Sequence, residues 1–352
     1  MGNFGAPSAR RASLARGAAL LFSLAAAGCA SFAEDASSEA ADEPVGEAAQ
    51  AIQGGYGDDA DHAVVGLAIT DDGVHVSHTC SGALVAPNLV LTARHCIAHT
   101  SKFVSCGVSV FGAPVEAARV FVTFDANMWQ DDTEWTSVAQ VITVPGDDGV
   151  CGNDVALLRL DQPVTDKAAP LAPRLDGIAE PGEAYSAIGY GASEQDGEDA
   201  GQRRRRDTLA VMCVGDHCDM QKQVEPSEWR GDHGICNGDS GGPAIDKRGQ
   251  VIGVTSRGPT GCDHPIYGGL TSFRGWLRAE AIEAARVGSY GVPEWASVGE
   301  SAQAESLAHE GDGAFACVIS AKGTGAEGRG AGLAGLVLLT SLVAVERRRR
   351  RT

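Results

Sequence analysis

Short runs of apolar and β-branched residues fill the middle of the chain, each broken by Gly, Pro, Asn or Asp before it reaches helical length. Val64–Ile69, Ala83–Val85, Leu89–Thr92, Val104–Val110, Val120–Phe124, Val138–Val144 and Val155–Leu160 read as a first group of strands. A second group follows at Ala184–Gly189, Thr208–Val214, Ala244–Ile245, Val251–Thr255 and Gly269–Ser272. Many short strands separated by turns make either barrels or a sandwich, and the alternation alone does not separate the two. The period then changes: Trp276, Leu277, Ala281 and Ile282 recur at helical spacing and predict a closing helix over Phe273–Arg286.

The two ends follow other patterns. Within residues 1–33, Arg10, Arg11 and Arg16 precede an apolar run from Ala18 to Ala27, the layout of an export signal and too short for a membrane span. Residues 34–51 are rich in Ala, Glu, Asp and Ser and cannot bury enough apolar area to offset their ordering entropy, so an unstructured spacer is expected. Residues 288–330 read as a Gly- and Ala-rich linker; residues 331–352 hold an apolar run, Ala331–Val345, ahead of Arg347–Arg351. One all-β domain over residues 52–287 remains.

Composition narrows the possible partners. With 43% hydrophobic and 5% aromatic residues among 352, the chain can bury one substantial core. A net charge of −18 argues against nucleic acid, because phosphate binding needs a clustered basic face. The run Arg203–Arg206, after the acidic loop Ala192–Gly201, is expected to be a solvated loop entering a strand. Ten cysteines in an exported chain point to disulfides, and their spacings lack the paired C-x-x-C of a zinc site, so no metal or cofactor is expected.

The chemistry concentrates at Cys236-Asn237-Gly238-Asp239-Ser240-Gly241-Gly242-Pro243. A serine hydroxyl is a weak nucleophile unless it is given a base, a group to orient that base, and donors for the oxyanion. Gly238 lacks a Cβ, so its N–H can approach a substrate carbonyl beside the N–H of Ser240. This stretch resembles the signature of the trypsin-like, chymotrypsin-fold serine peptidases. Leu91-Thr92-Ala93-Arg94-His95-Cys96 is similar to that family's histidine block, with Arg94 where a small residue is usual, and Asn153–Leu160 to its aspartate block. The resemblance implies two six-stranded antiparallel β-barrels and a C-terminal helix. His95, Asp154 and Ser240 would form a triad in the cleft between the barrels, with Gly238 and Ser240 N–H groups as the oxyanion hole.

The same resemblance implies further roles. Cleavage before Ile52, in Ile52-Gln53-Gly54-Gly55, would free an α-amino group to pair with Asp239; Ala51 is not the basic residue that tryptic activation would need. Gly234 and Ile235 would form the specificity pocket, which lacks a carboxylate at Gly234 and so favours apolar or small residues before the scissile bond. Ser256 would hydrogen-bond Asp154, Gly258 would leave the pocket mouth open, and Arg257 replaces the usual aromatic. Setting aside Cys29 and Cys317 leaves eight cysteines: the family pairs Cys80 with Cys96 and Cys236 with Cys262, leaving Cys213 with Cys218 and Cys106 with Cys151. Leu24–Cys29 resembles a bacterial lipobox, with lipid on Cys29, although ordinary cleavage a few residues later fits as well. The C-terminal run and arginine block resemble a surface-sorting tail of the myxobacterial type.

The expectation is a monomeric, secreted or surface-anchored serine endopeptidase acting on polypeptides, membrane-associated through its terminal segments. A catalytically inactive binding or adhesion module on the same fold would need none of His95, Asp154, Gly238, Ser240 and Ser256. An esterase would share the chemistry.

Overall fold

The computed structural model describes residues 55–101, 103–192, 199–218, 223–258 and 264–297. The expected export signal (1–33) and spacer (34–51), Ile52, Cys262 and the tail from residue 298 lie outside the described residues. Strand β1, Tyr56–Gly57, opens the described chain. Six strands then form a closed antiparallel barrel in the order β2-β3-β4-β7-β6-β5: β2 Val64–Thr70, β3 Val76–Ala86, β4 Leu89–Thr92, β5 Val120–Thr123, β6 Trp135–Thr143 and β7 Ala156–Leu160.

Strand β2 shows why the chain makes two barrels. All seven of its residues are buried, a continuous apolar run that needs cover on both faces. Val65, Leu67 and Ile69 point into the first barrel's core, while Val64 and Ala68 pack with Ile188, Tyr190 and Ile245 of the second. The second barrel closes as β8-β9-β10-β13-β12-β11: β8 Ala184–Gly189, β9 Arg204–Val214, β10 Glu228–Gly231, β11 Pro243–Asp246, β12 Val251–Arg257 and β13 Ile266–Gly268. Strand β1 adds to β9 through Arg204 and Arg205. The first core is largely aliphatic, whereas the second is built on three aromatics: Trp229 stacks on Tyr267 at 4.2 Å, and Tyr185 meets both edge-on.

Helix α1, Arg274–Gly288, follows the second barrel in sequence but buries Leu277, Ala281 and Ala284 in the first barrel's core. The packing continues past residue 288, where only linker was expected. Tyr290 donates its hydroxyl to Asn88 Oδ1 (2.6 Å), Trp295 Nε1–H donates to Val85 O (3.1 Å), and Ala296 is buried.

Several elements differ from the sequence reading. Val104–Val110 is not a strand: Phe103 and Val108 are exposed, Val110 makes only an isolated bridge to Gly149, and the Cys106–Cys151 disulfide holds the segment. Strand β10 was masked by its charged residues, because Glu228 and Arg230 flank the one large apolar side chain, Trp229. The last strand is Ile266–Gly268 rather than Gly269–Ser272, and Thr271–Phe273 is a 3-10 turn into α1. The arginine run is not a solvated loop. It opens β9, with Arg203 2% and Arg204 9% exposed, because buried carbonyls and acids partner them: Arg203 donates to Asp58 O, Phe124 O and Tyr190 Oη.

Replacing Trp229 with Ala should remove the stacked centre of the second barrel and lower stability by about 3–5 kcal/mol in denaturant unfolding. A loss below about 1 kcal/mol would mean that the aromatic cluster does not hold this barrel together.

Candidate active site

The crevice is assembled from turns at the strand ends. His95 lies in the 3-10 turn Arg94–Cys96 directly after β4, anchored by the Cys80–Cys96 disulfide to β3. Arg94, expected to be small, is buried with its guanidinium 4.6 Å from the Phe111 ring centroid and donates to Asp148 Oδ1 (2.5 Å). Its charge is thus engaged by the flanking loop, at Asp147 O and Asp148 Oδ1.

Asp154, just ahead of β7, is 2% exposed and surrounded by donors. The backbone N–H of His95 reaches Oδ1 (2.8 Å); the imidazole Nδ1 (2.7 Å) and the Ser256 hydroxyl (2.6 Å) reach Oδ2. With Nδ1–H on the carboxylate, Nε2 is the nitrogen able to take a proton. Burial disfavours the imidazolium, but the Asp154 carboxylate outweighs it and holds His95 above its ordinary pKa, with Arg257 opposing. Burial likewise pushes the Asp154 carboxyl up, yet the charge and hydrogen bonds of His95, together with Ser256, hold it below the usual carboxylate range.

Ser240 sits on a tight turn in which Gly242 N–H donates to Asp239 O (2.8 Å) and Asp239 N–H to Cys236 O (3.1 Å). Peptide geometry then aims the amides. A trans peptide points its N–H opposite its C=O. Asn237 O accepts from Ala192 N–H (2.8 Å), so the N–H of Gly238 points away from Ala192; Asp239 O is taken by Gly242, so the N–H of Ser240 points away from the turn. Neither amide donates to a described residue. Gly238 has φ +98°, and Gly241 (φ +82°) is so close to the histidine-bearing segment that a Cβ there would overlap Thr92 Oγ1 and Ser81 O. No hydrogen bond joins Ser240 Oγ to Nε2 of His95 among the described residues; such links often tighten only around substrate.

The carboxylate of Asp239 is turned inward, 1% exposed, accepting from Gly191 N–H (2.8 Å) and Cys236 N–H (2.8 Å), with no cation in ion-pair contact among the described residues. Burial pushes its pKa up to about 7 against the pull of those two amides and of Arg204. Its sequence-expected partner, Ile52, lies outside the described residues. Around the expected pocket, Gly234 (φ +107°) and Ile235 are buried, and a Cβ on Gly234 would lie 3.1 Å from Cδ of Arg206. Gly258 is exposed at the end of β12. Cys106 pairs with Cys151 and Cys213 with Cys218; Cys236 is disulfide-bonded, and its expected partner Cys262 is not among the described residues.

Sequence reasoning missed Ser81, on β3 of the first barrel. Its hydroxyl donates to Gly238 O (2.9 Å) and accepts from Tyr190 N–H (2.8 Å); its own N–H donates to Ser240 O (2.7 Å). One small side chain therefore ties the nucleophile's turn across the seam. Its position beside Cys80 was the one available signal. Glu228 was also missed, because a lone acid in a charged tetrapeptide reads as surface.

The family model described as Trypsin matches residues 52–277. A protein named Trypsin from Saccharopolyspora erythraea is 29% identical over 212 residues, 58% of this chain and 85% of its own length. Kallikrein 1-related peptidase b26 from Mus musculus is 29% identical over 219 residues, 57% of this chain and 79% of its own. The solved structure of neuropsin, a serine protease expressed in the limbic system of mouse brain, covers 64% of this chain and 98% of its own at 19% identity, with a TM-score of 0.49.

Ser81→Ala should strand the Tyr190 N–H and Gly238 O and cost about 1–3 kcal/mol. A thermal midpoint unchanged within error would remove Ser81 from the seam.

Proposed function

The chain belongs to the trypsin family and is a serine-type endopeptidase; on that premise we propose that Ser240 is its nucleophile, His95 its general base and acid, and Asp154 the group that orients His95. The observation that carries this reading is the buried Asp154 carboxylate gripping both the backbone and Nδ1 of His95 beside the nucleophile's turn. Ser240 Oγ attacks the scissile carbonyl as Nε2 of His95 takes its proton, and His95 returns that proton to the leaving amine. Asp154 stabilises the imidazolium formed between these steps. The N–H groups of Gly238 and Ser240, which donate to no described residue, receive the oxyanion. Water then releases the acyl group from Ser240 by the same proton transfers in reverse.

Substrates are polypeptides. The preference we assign is for apolar or small residues before the scissile bond: Gly234 supplies no carboxylate, Ile235 is apolar, and Arg206 beneath Gly234 repels a second cation. Export and retention at the cell envelope through Cys29 and residues 331–352 are part of the same reading, with the disulfides consistent with an oxidising compartment.

We also propose synthesis as a zymogen cut between Ala51 and Ile52. Asp239 supports this, because a carboxylate buried without a cation is costly until an ammonium arrives. An acid whose folded pKa is raised binds a proton on folding between its unfolded value and the raised one. The uncut chain therefore loses stability as pH climbs from about 4 to about 7, by an amount on the order of 4 kcal/mol.

A serine-directed phosphonate should label the cut protein, and Ser240→Ala should abolish labelling. Peptide panels should show faster cleavage after Leu or Ala than after Arg, with kcat/KM rising through a pKa above about 6.5 as His95 deprotonates. Labelling that survives Ser240→Ala would overturn the nucleophile assignment. In the Ser240→Ala background, the stability gap between cut and uncut chains should widen from pH 4 to pH 7; a constant gap, or full activity of the uncut wild type, would overturn the zymogen.

A further inference from the structure

Next to the crevice lies an ion pair that the proposed chemistry does not use. Glu228, on β10, is 1% exposed in its side chain and faces Arg257, at the end of β12, which is 15% exposed. The two meet as a fork: Nη1 to Oε1 at 2.6 Å and Nη2 to Oε2 at 2.7 Å. Each has a second set of contacts, and these converge on the aspartate. Glu228 Oε1 accepts from Gly152 N–H (2.7 Å), two residues before Asp154, and Ser227 Oγ donates to Gly152 O (3.0 Å). Arg257 Nη1 donates to Ser256 Oγ (3.3 Å), leaving that hydroxyl's own proton for Asp154 Oδ2 (2.6 Å). Arg257 Nη2 also reaches Gln223 O (2.6 Å) and lies 3.7 Å from Sγ of Cys106, whose disulfide holds Cys151.

An ion pair this buried returns little net stability, because desolvation consumes most of its attraction. It does fix geometry: a planar guanidinium on a carboxylate has one good arrangement. Here that arrangement sets both the loop carrying Asp154 and the rotamer of the serine that binds it.

We propose that Glu228 and Arg257 are positioning residues for the Asp154–His95 pair, holding the Asp154 loop and the Ser256 hydroxyl in register and setting the charge felt by the imidazole. The proposal rests on the peptidase reading above, although the imidazole titration in its test does not need turnover. The charged groups around His95 are few. Asp154 comes from the segment before β7 and Arg257 from β12. Arg94, on its own turn, is engaged by Asp148; His78 of β3 contacts Cys96 O; Asp239 lies on the nucleophile's turn, facing Gly191. Removing the cation at position 257 should therefore raise the imidazole pKa, and removing the anion at 228 should lower it by leaving that cation uncompensated.

The test follows the His95 imidazole by NMR titration in the full chain, alongside kinetics. Arg257→Gln should move the pKa up, and Glu228→Gln should move it down, each by about half a unit or more. Arg257→Lys should keep the pKa near that of the wild type while kcat falls about tenfold with KM held, since a lysine keeps the charge and loses the fork. Should Glu228→Gln fail to fold, the two Arg257 variants decide. An imidazole pKa unmoved in Arg257→Gln, or a kcat unchanged in Arg257→Lys, overturns the proposal. Opposite pKa movements in the two variants, with a wild-type chain that neither cleaves peptides nor takes the phosphonate, would uphold the geometry and sink the peptidase reading instead.

Discussion

A carboxylate removed from water must be given donors, and around Asp154 those donors come from both barrels. The first barrel supplies the backbone and ring of His95; the second supplies Ser256 from β12. The crevice between the barrels is thus a place where one buried charge has drawn two sheets together, and the imidazole's orientation follows from satisfying it. If the barrels shifted by the length of a hydrogen bond, Asp154 would keep His95 but lose the Ser256 hydroxyl, at a cost of about 1–3 kcal/mol.

The second requirement is that the turn carrying Ser240 be fixed relative to that charge. Ser81 does this from the first barrel, and the inward carboxylate of Asp239 from below, accepting the amides of Gly191 and Cys236. The two constraints differ in kind. Ser81 is neutral and complete among its described partners. Asp239 is a buried acid with no cation in ion-pair contact among the described residues, and burial raises its pKa to about 7.

The two-barrel class was legible through the family resemblance, and of the expected site residues the structure brings His95, Asp154 and Ser256 together. His95, Asp154 and Ser240 stand in short blocks whose residues carry their meaning locally. The apolar runs gave most strands of the first barrel because its core is largely aliphatic, as in β2, β4 and β7. Legibility failed where charged residues were buried: Arg203 and Arg204 read as loop, and Glu228-Trp229-Arg230 hid a strand, because the partners that make burial affordable are remote in sequence. It failed in the other direction at Val104–Val110, where β-branched residues occupy a surface loop. Beyond its place beside Cys80, nothing local marked Ser81, whose bonds to Gly238, Tyr190 and Ser240 all reach residues more than a hundred positions away.

Helix α1 and the residues just after it close the barrel that the chain built first. As the chain emerges from a ribosome or a translocation pore, the N-terminal barrel must wait with an open flank until Leu277, Ala281, Ala284 and Trp295 arrive. Order of synthesis and order of completion are therefore reversed. A chain interrupted just before that helix would hold every strand of both barrels, yet its first core would lack the side chains that cover it.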